Sequence, residues 1–312
     1  MPRKSGARKE ICSEDGGEMT EYLKCRANAK INLTLECTGR RDDGYHLLDM
    51  CMTSVTLCDE LTFRKGGNGF SISVNGGDNI PNDEHNLIFK AAKILCDHAG
   101  IPLPETEITL LKRIPSQAGL GGGSADAAAT LTALNEMEGL GYSSAELAAI
   151  GEKVGADVPF CVTGGTARVR GIGELIDTLP PMPSADILIL MPERGNSTPE
   201  MFRLMDSAQE STGGYSEKAA ELIKAGDLYG IAENLRNDFS GFSYRYEEMK
   251  KIFEENGALG AGLSGSGAAA FGIFNDSERM NRCADAARAE GFSAYAVRPA
   301  GAGTEIIERK EK

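Results

Sequence analysis

No two of the eight cysteines stand in a CxxC spacing: Cys12, Cys25, Cys37, Cys51, Cys58, Cys96, Cys161 and Cys283 are scattered along 312 residues. Scattered thiols exclude a disulfide framework and fit a reducing cytoplasm, with most of them serving as small buried apolar side chains. Nor is there a run approaching the roughly 18 continuous apolar residues of a membrane helix. The basic opening MPRKSGARKE is followed by ICSEDGGEMT, where a signal peptide needs an apolar stretch. His46, His85 and His98 show no HExxH or other ligand spacing, so no zinc or iron site is expected. Positive charge is in deficit, with 33 basic against 46 acidic side chains and a net charge of −13. Such a field repels nucleic acid and anionic bilayers and favours a small substrate. No internal repeat is visible.

What is present reads as an ordinary globular chain, 41% hydrophobic and 25% charged. Single cores stop growing near roughly 250 residues, so two domains are expected. Residues 1–20 are polar and aperiodic, and are set aside as a mobile leader. From 29 to 37, Ile31, Leu33, Leu35 and Cys37 alternate with Lys30, Asn32, Thr34 and Glu36, which predicts a half-buried strand with Lys30 and Asn32 on its polar face. Further strands are predicted at 52–57, 61–63, 70–74 and 107–113. Helices are predicted from 86 to 98, stopped by Gly100, from about 124 to 137, and after a Ser143/Glu146 capping box, with Gly155 in terminator position. LPPMPS at 179–184 breaks both kinds of pattern, which sets the domains at 21–182 and 183–312. A buried strand at 186–191 and a helix opening at Ser197-Thr-Pro-Glu200 follow. Strand and helix do not alternate regularly, so the fold class is α+β.

The strongest chemical signal is Pro115-Ser116-Gln117-Ala118-Gly119-Leu120-Gly121-Gly122-Gly123-Ser124, between a predicted strand and an alanine-rich helix beginning at Ala125. Glycines admit an anion close to the backbone, and a helix start adds unpaired N–H donors and a positive dipole end. Phosphate is the natural guest; the bland alternative is a surface turn. The loop is not a Walker A sequence, having no GK[ST] and no lysine, so charge is neutralised otherwise: Ser124 offers a hydroxyl, and Mg²⁺ bridging the phosphates is expected. A second string, Gly260, Gly262 and Gly265, has GxGxxG spacing, but a helical pattern precedes it and strand-like AAAFGIF follows, so a dinucleotide fold is not supported. Transfer to an alcohol needs a proton acceptor and local positive charge, and Asp157 and Lys30 are the candidates. An aspartate in that position is more often a cap, and a lysine on a strand face more often solvated. His46, after Gly44 and Tyr45, could frame a ring or sit in an ordinary loop.

Together, AKINLTLECTGRRDDGYH at 29–46, PSQAGLGGGSADAA at 115–128, GADVPF at 155–160 and LSGSGAA at 263–269 resemble the GHMP kinases over nearly the whole chain after residue 20. The first segment is similar to the branch acting on a cytidine diphosphate-linked methylerythritol. The resemblance implies a first domain like the second domain of ribosomal protein S5, a GHMP C-terminal domain and a deep cleft between them. It implies ATP and Mg²⁺ as cofactors and phosphorylation of a 2-hydroxyl in the non-mevalonate isoprenoid route. Asp157 then looks like the base and Lys30 its partner on the hydroxyl. Residues 115–125, with Asn86 and Lys112, look like the nucleotide side; Asn32, Tyr45, His46, Phe202, Gly265, Ser266 and Gly267 look like the substrate side, the three rings around cytosine. A monomer or weak dimer is expected, without nucleic acid or membrane. Ala268 departs from the family's usual proline. Another GHMP kinase, or a nucleotide-binding protein without activity, is the rival reading.

Overall fold

The structure is a computed structural model that describes residues 20–77, 80–207 and 213–311; the leader lies outside these except for Thr20, with which the first strand begins. Two long strands, β1 (Thr20–Arg40) and β2 (His46–Lys65), pair antiparallel from Tyr22 opposite Arg64 to Arg40 opposite His46. Register shifts at Asn28/Ala29, Asn32/Thr34 and Cys37/Gly39 interrupt the ladder, the kind of irregularity that bends a ribbon. The half-buried reading of 29–37 is corrected: Lys30, Asn32, Thr34 and Glu36 are as buried as their apolar neighbours. Their polar atoms are satisfied from distant sequence. The Ser216 hydroxyl donates to Thr34 at 2.8 Å, and the amides of Gly214 and Ser216 donate to the Glu36 carboxylate. The strands expected at 52–57 and 61–63 are one strand, because Asp59 between them is buried with its carboxylate accepting the amides of Arg113 and Ile114 at 2.6 and 2.8 Å.

Next come β3 (Phe70–Asn75), α1 (Leu87–Ala99) and β4 (Thr106–Leu111), with β3 and β4 parallel as a helical crossover allows. Asn86 caps α1 through its side-chain oxygen, and Gly100 ends it at φ 70°. α2 (Gly122–Met137) begins three residues before the predicted Ala125, since the glycine segment itself turns into the helix and Ala125 donates to the Gly121 carbonyl at 2.8 Å. Its alanines let it run buried through the centre of the first half. α3 (Ser144–Gly151) starts on the Ser143/Glu146 capping box, and α4 (Val158–Thr163), β5 (Thr166–Gly171) and β6 (Leu175–Leu179) complete the half.

The second half runs β7 (Asp186–Met191), α5 (Thr198–Met205), α6 (Tyr215–Ala225), α7 (Leu228–Glu233), β8 (Arg236–Asn237), α8 (Tyr246–Glu255), β9 (Gly260–Leu263), β10 (Ala270–Phe274), α9 (Ser277–Ala289), β11 (Ser293–Val297), β12 (Pro299–Ala300) and β13 (Thr304–Glu311). The GxGxxG string forms β9 and the turn into β10, so a strand, not only the helix α8, comes before its last glycine. The second sheet is antiparallel in the order β11-β7-β10-β9, with α8 and α9 packed on it. A division at 182/183 does not follow sheet membership to the end of the chain: β12 pairs with β2 and β13 with β1, so residues 299–311 return to the first sheet, order β13-β1-β2-β4-β3. The core is not divided either. Ile187, Ile189, Phe271 and Val297 pack into the same apolar cluster as Ile31, Leu33 and α2. Among the described residues no helix is long and apolar enough to cross a membrane.

Candidate active site

A cavity of about 520 Å³ opens where the two halves meet, lined by residues 115–124, Lys30, Asn32, Asn86, Lys112, Asp157, Phe202, Gly265 and Ser266, among others. The glycine segment forms one wall and leads into α2, whose N-terminus has no side-chain cap. Unpaired amides and the positive dipole end therefore face the cavity. Packing as well as ligand approach demands the glycines. At φ 75°, a Cβ on Gly119 would lie 2.0 Å from the Ser264 carbonyl oxygen, and one on Gly121 would lie 2.9 Å from Lys30 Cγ. The segment is stitched to its neighbours by Lys30 N–H to Leu120 O at 3.0 Å, Ala269 N–H to Ala118 O at 3.0 Å and Ser264 Oγ to Gly119 O at 2.8 Å.

Lys30 and Asp157 meet beside this wall, with Nζ 3.5 Å from Oδ2. The lysine side chain is 4% exposed and the aspartate 34%. Asp157 occupies the N-cap position of α4, yet its side chain makes no capping hydrogen bond, which leaves the carboxylate free to face the cavity. Asn32 also lines the cavity, with its Oδ1 already accepting from Lys30 Nζ at 2.7 Å and from the Gly265 amide at 2.8 Å. It links the lysine to the turn at Gly265–Gly267, at the end of the second glycine string. That segment is held from the other side by Asn196, which donates to Ser266 O at 2.9 Å, and by Thr198, 2.9 Å from Ser266 Oγ. Of the remaining predicted positions, Tyr45, His46, Ala125 and Gly267 fall outside the lining, and Asn86 lines it with its amide committed to capping α1 and to Pro81 O at 2.6 Å.

Lys112 lies beneath the start of α2, its Nζ 2.9 Å from where a Cβ on Gly122 would stand. It donates to Asp59 and, at 2.8 Å, to Asp126. Sequence reasoning missed both carboxylates; in GSADAAA, Asp126 passes for a routine acidic residue near a helix start. Burial pushes its carboxyl up to about 8, against the pull of Lys112. The ammonium of Lys112 is held above its usual range by Asp126 and Asp59, although burial, the largest effect, opposes this.

At the far side of the cavity His46 stacks on Phe202, with ring centroids 4.7 Å apart and planes at 25°, and Phe202 meets Phe239 edge-on at 5.0 Å. His46 Nε2 lies 2.7 Å from Asp206 Oδ1, a partner that only the fold reveals, and lines a neighbouring cavity of about 600 Å³. Tyr45 is not gathered in: it stands 62% exposed on the β1–β2 turn. The described cysteines are free, and burial pushes the thiols of Cys25, Cys37 and Cys51 up to about 12, too high for a nucleophile. Among the described residues no group of three or more His, Cys, Asp or Glu is arranged to hold a metal.

The GHMP kinases N terminal domain model matches residues 86–165, which include the glycine segment and Asp157, and the GHMP kinases C terminal model matches 219–294. Proteins named 4-diphosphocytidyl-2-C-methyl-D-erythritol kinase match over most of the chain. The one from Clostridium novyi is 36% identical over 88% of this chain and 98% of its own, and the one from Pelotomaculum thermopropionicum 42% identical over 83% and 91%. The chain belongs to the 4-diphosphocytidyl-2-C-methyl-D-erythritol kinase family. A crystal structure of 4-(cytidine 5'-diphospho)-2C-methyl-D-erythritol kinase superposes at a TM-score of 0.72, with 31% identity over 89% of this chain and all of that one. Homoserine kinase from Cytophaga hutchinsonii, at 20% identity and a TM-score of 0.73, shares the fold. Membership in this kinase family makes the chain a phosphotransferase with the two-part GHMP architecture.

Proposed function

We propose that the chain transfers the γ-phosphoryl group of ATP to the 2-hydroxyl of 4-diphosphocytidyl-2-C-methyl-D-erythritol, a step toward isoprenoid precursors, in the cytoplasm. What supports this reading is the convergence of Lys30 and Asp157, 3.5 Å apart, on the wall that carries the uncapped start of α2. Amides of residues 121–124 hold the triphosphate. The Asp157 carboxylate takes the hydroxyl proton while the alcohol oxygen attacks the γ-phosphorus; the bond from that phosphorus to the bridging oxygen breaks and ADP leaves. The Lys30 ammonium draws the alcohol oxygen toward Asp157 and offsets the charge that develops on the transferring group. Asn32 serves as a positioning residue that keeps Lys30 aimed. Mg²⁺ would supply charge neutralisation when bound with the nucleotide, and the Ser124 hydroxyl of the cavity wall would be the side chain offered to it, no group of three or more His, Cys, Asp or Glu being arranged for a metal among the described residues.

Cytosine belongs at the His46–Phe202 end of the cavity. These rings rest directly on one another, so a base stacks on Phe202 as His46 turns aside to bond its edge. A coupled assay for ADP release tests the assignment: turnover with diphosphocytidyl methylerythritol and none with mevalonate, homoserine or galactose is expected. Turnover with one of those alcohols instead would move the chain to another GHMP reaction, and silence with all four would leave a nucleotide-binding protein.

A further inference from the structure

The glycine segment has no lysine of its own, and the Lys112 ammonium beneath its helix start is paired with carboxylates. Lys112 is 4% exposed and donates to two buried carboxylates, Asp59 on β2 and Asp126 on α2. Asp59 is fully used: one oxygen accepts from Lys112, the other from the amides of Arg113 and Ile114, where the chain approaches the loop. Asp126, just past the loop on the buried face of α2, accepts from Lys112 with one oxygen, while Oδ1 is buried without a partner. One ammonium thus ties the approach to the loop, at 112–114, to its exit on α2.

With both acids ionised, the cluster would place one uncompensated negative charge beneath amides that receive a polyanion. With one proton on Asp126 the cluster is neutral, and the orphaned Oδ1 is the atom left to carry that proton. We propose that Lys112, Asp59 and Asp126 form a charge-balanced clamp on the two ends of the phosphate loop, in which Asp126 acts as a neutral acid and Lys112 is committed to positioning rather than to the phosphates.

The surroundings of Asp126 agree. Besides Lys112 and Asp59, the Cys161 thiol of α4 interacts with Asp126, and it also senses Asp157 and Lys30. α1 and α3, packed on the same helix, bury apolar or thiol side chains: Ile88, Ala91, Leu95 and Cys96 from α1, Leu147 and Ile150 from α3. Burial, with the Asp59 carboxylate adding to it and Lys112 opposing, raises the Asp126 carboxyl to about 8, so the acid is neutral below that pH and ionises above it.

The role in nucleotide binding rests on the reading of residues 115–124 as the ATP loop; the protonation state does not. The test is the pH profile of the KM for ATP in the full-length enzyme, with Asp126→Asn and Asp126→Ala, together with the infrared band of a protonated carboxyl. In the wild type the KM for ATP is expected to rise above pH about 8, approaching tenfold per pH unit, with kcat little changed. Asp126→Asn should lose that alkaline rise, and should bind ATP on the order of tenfold more tightly than Asp126→Ala, which is also neutral but gives Lys112 no acceptor. The acid band should be present in the wild type at neutral pH, fade above pH about 8 and be missing in Asp126→Asn. An alkaline rise that persists in Asp126→Asn, or a wild type without the band, overturns the clamp. A wild type that releases no ADP refutes the kinase reading instead, and the band alone then decides the protonation state.

Discussion

Asp157 stands at a helix N-cap and caps nothing, which is the local reason its carboxylate is available to a substrate. Lys30 is its complement, a buried cation whose stem packs under Gly121 and whose head is steered by Asn32. Neither residue would reach the other if the glycine segment were displaced, and Gly119 is where displacement is easiest to force. Gly119 and Gly139 have similar backbone angles, φ 75° and 60°, but a Cβ at 119 strikes the Ser264 carbonyl and one at 139 meets nothing. Alanine at either position suffers the left-handed strain, so the difference isolates the close approach. Gly119→Ala is expected to cost at least about 1 kcal/mol more than Gly139→Ala in urea unfolding. Equal costs would mean that the loop does not press against the backbone at Ser264.

At the scale of elements, α5 is short but joins two parts of the cavity. Its first residue, Thr198, holds Ser266 of the Gly265–Gly267 turn, and Phe202, one turn on, carries the aromatic stack with His46 and Phe239. In the proposed reading the cytosine site and the Gly265–Gly267 turn thus share one support, while the nucleotide site is built elsewhere, at the start of α2. Phe202→Ala should raise the KM for the cytidine substrate by on the order of tenfold or more, the worth of stacking one base, and leave the KM for ATP within about twofold. Steady-state kinetics with each substrate varied in turn measures both, and a parallel rise in the two values would place Phe202 outside the cytosine site.

Over the whole molecule, what could be read beforehand was local. Period-two alternation gave the strand at 29–37, Ser143 and Glu146 gave the start of α3, and the glycine run in front of alanines gave a helix start suited to phosphate. What could not be read depended on partners far along the chain. The polar face of β1 is buried because Ser216 and Gly214 come to it, the C-terminal strand β13 completes a sheet begun by β1, and Asp126 and Asp59, 67 positions apart, share Lys112. The proposed roles of Lys30 and Asp157 rest on the needs of phosphoryl transfer and on a family likeness, not on spacing. Their meeting depends on β1, α2 and α4 being packed in one core that both halves share. The most direct test of that arrangement is the turnover of Asp157→Ala with ATP affinity measured alongside by calorimetry. Loss of a general base should lower kcat by roughly 10² to 10⁴ while ATP binds nearly as well as to the wild type; undiminished turnover would contradict the account.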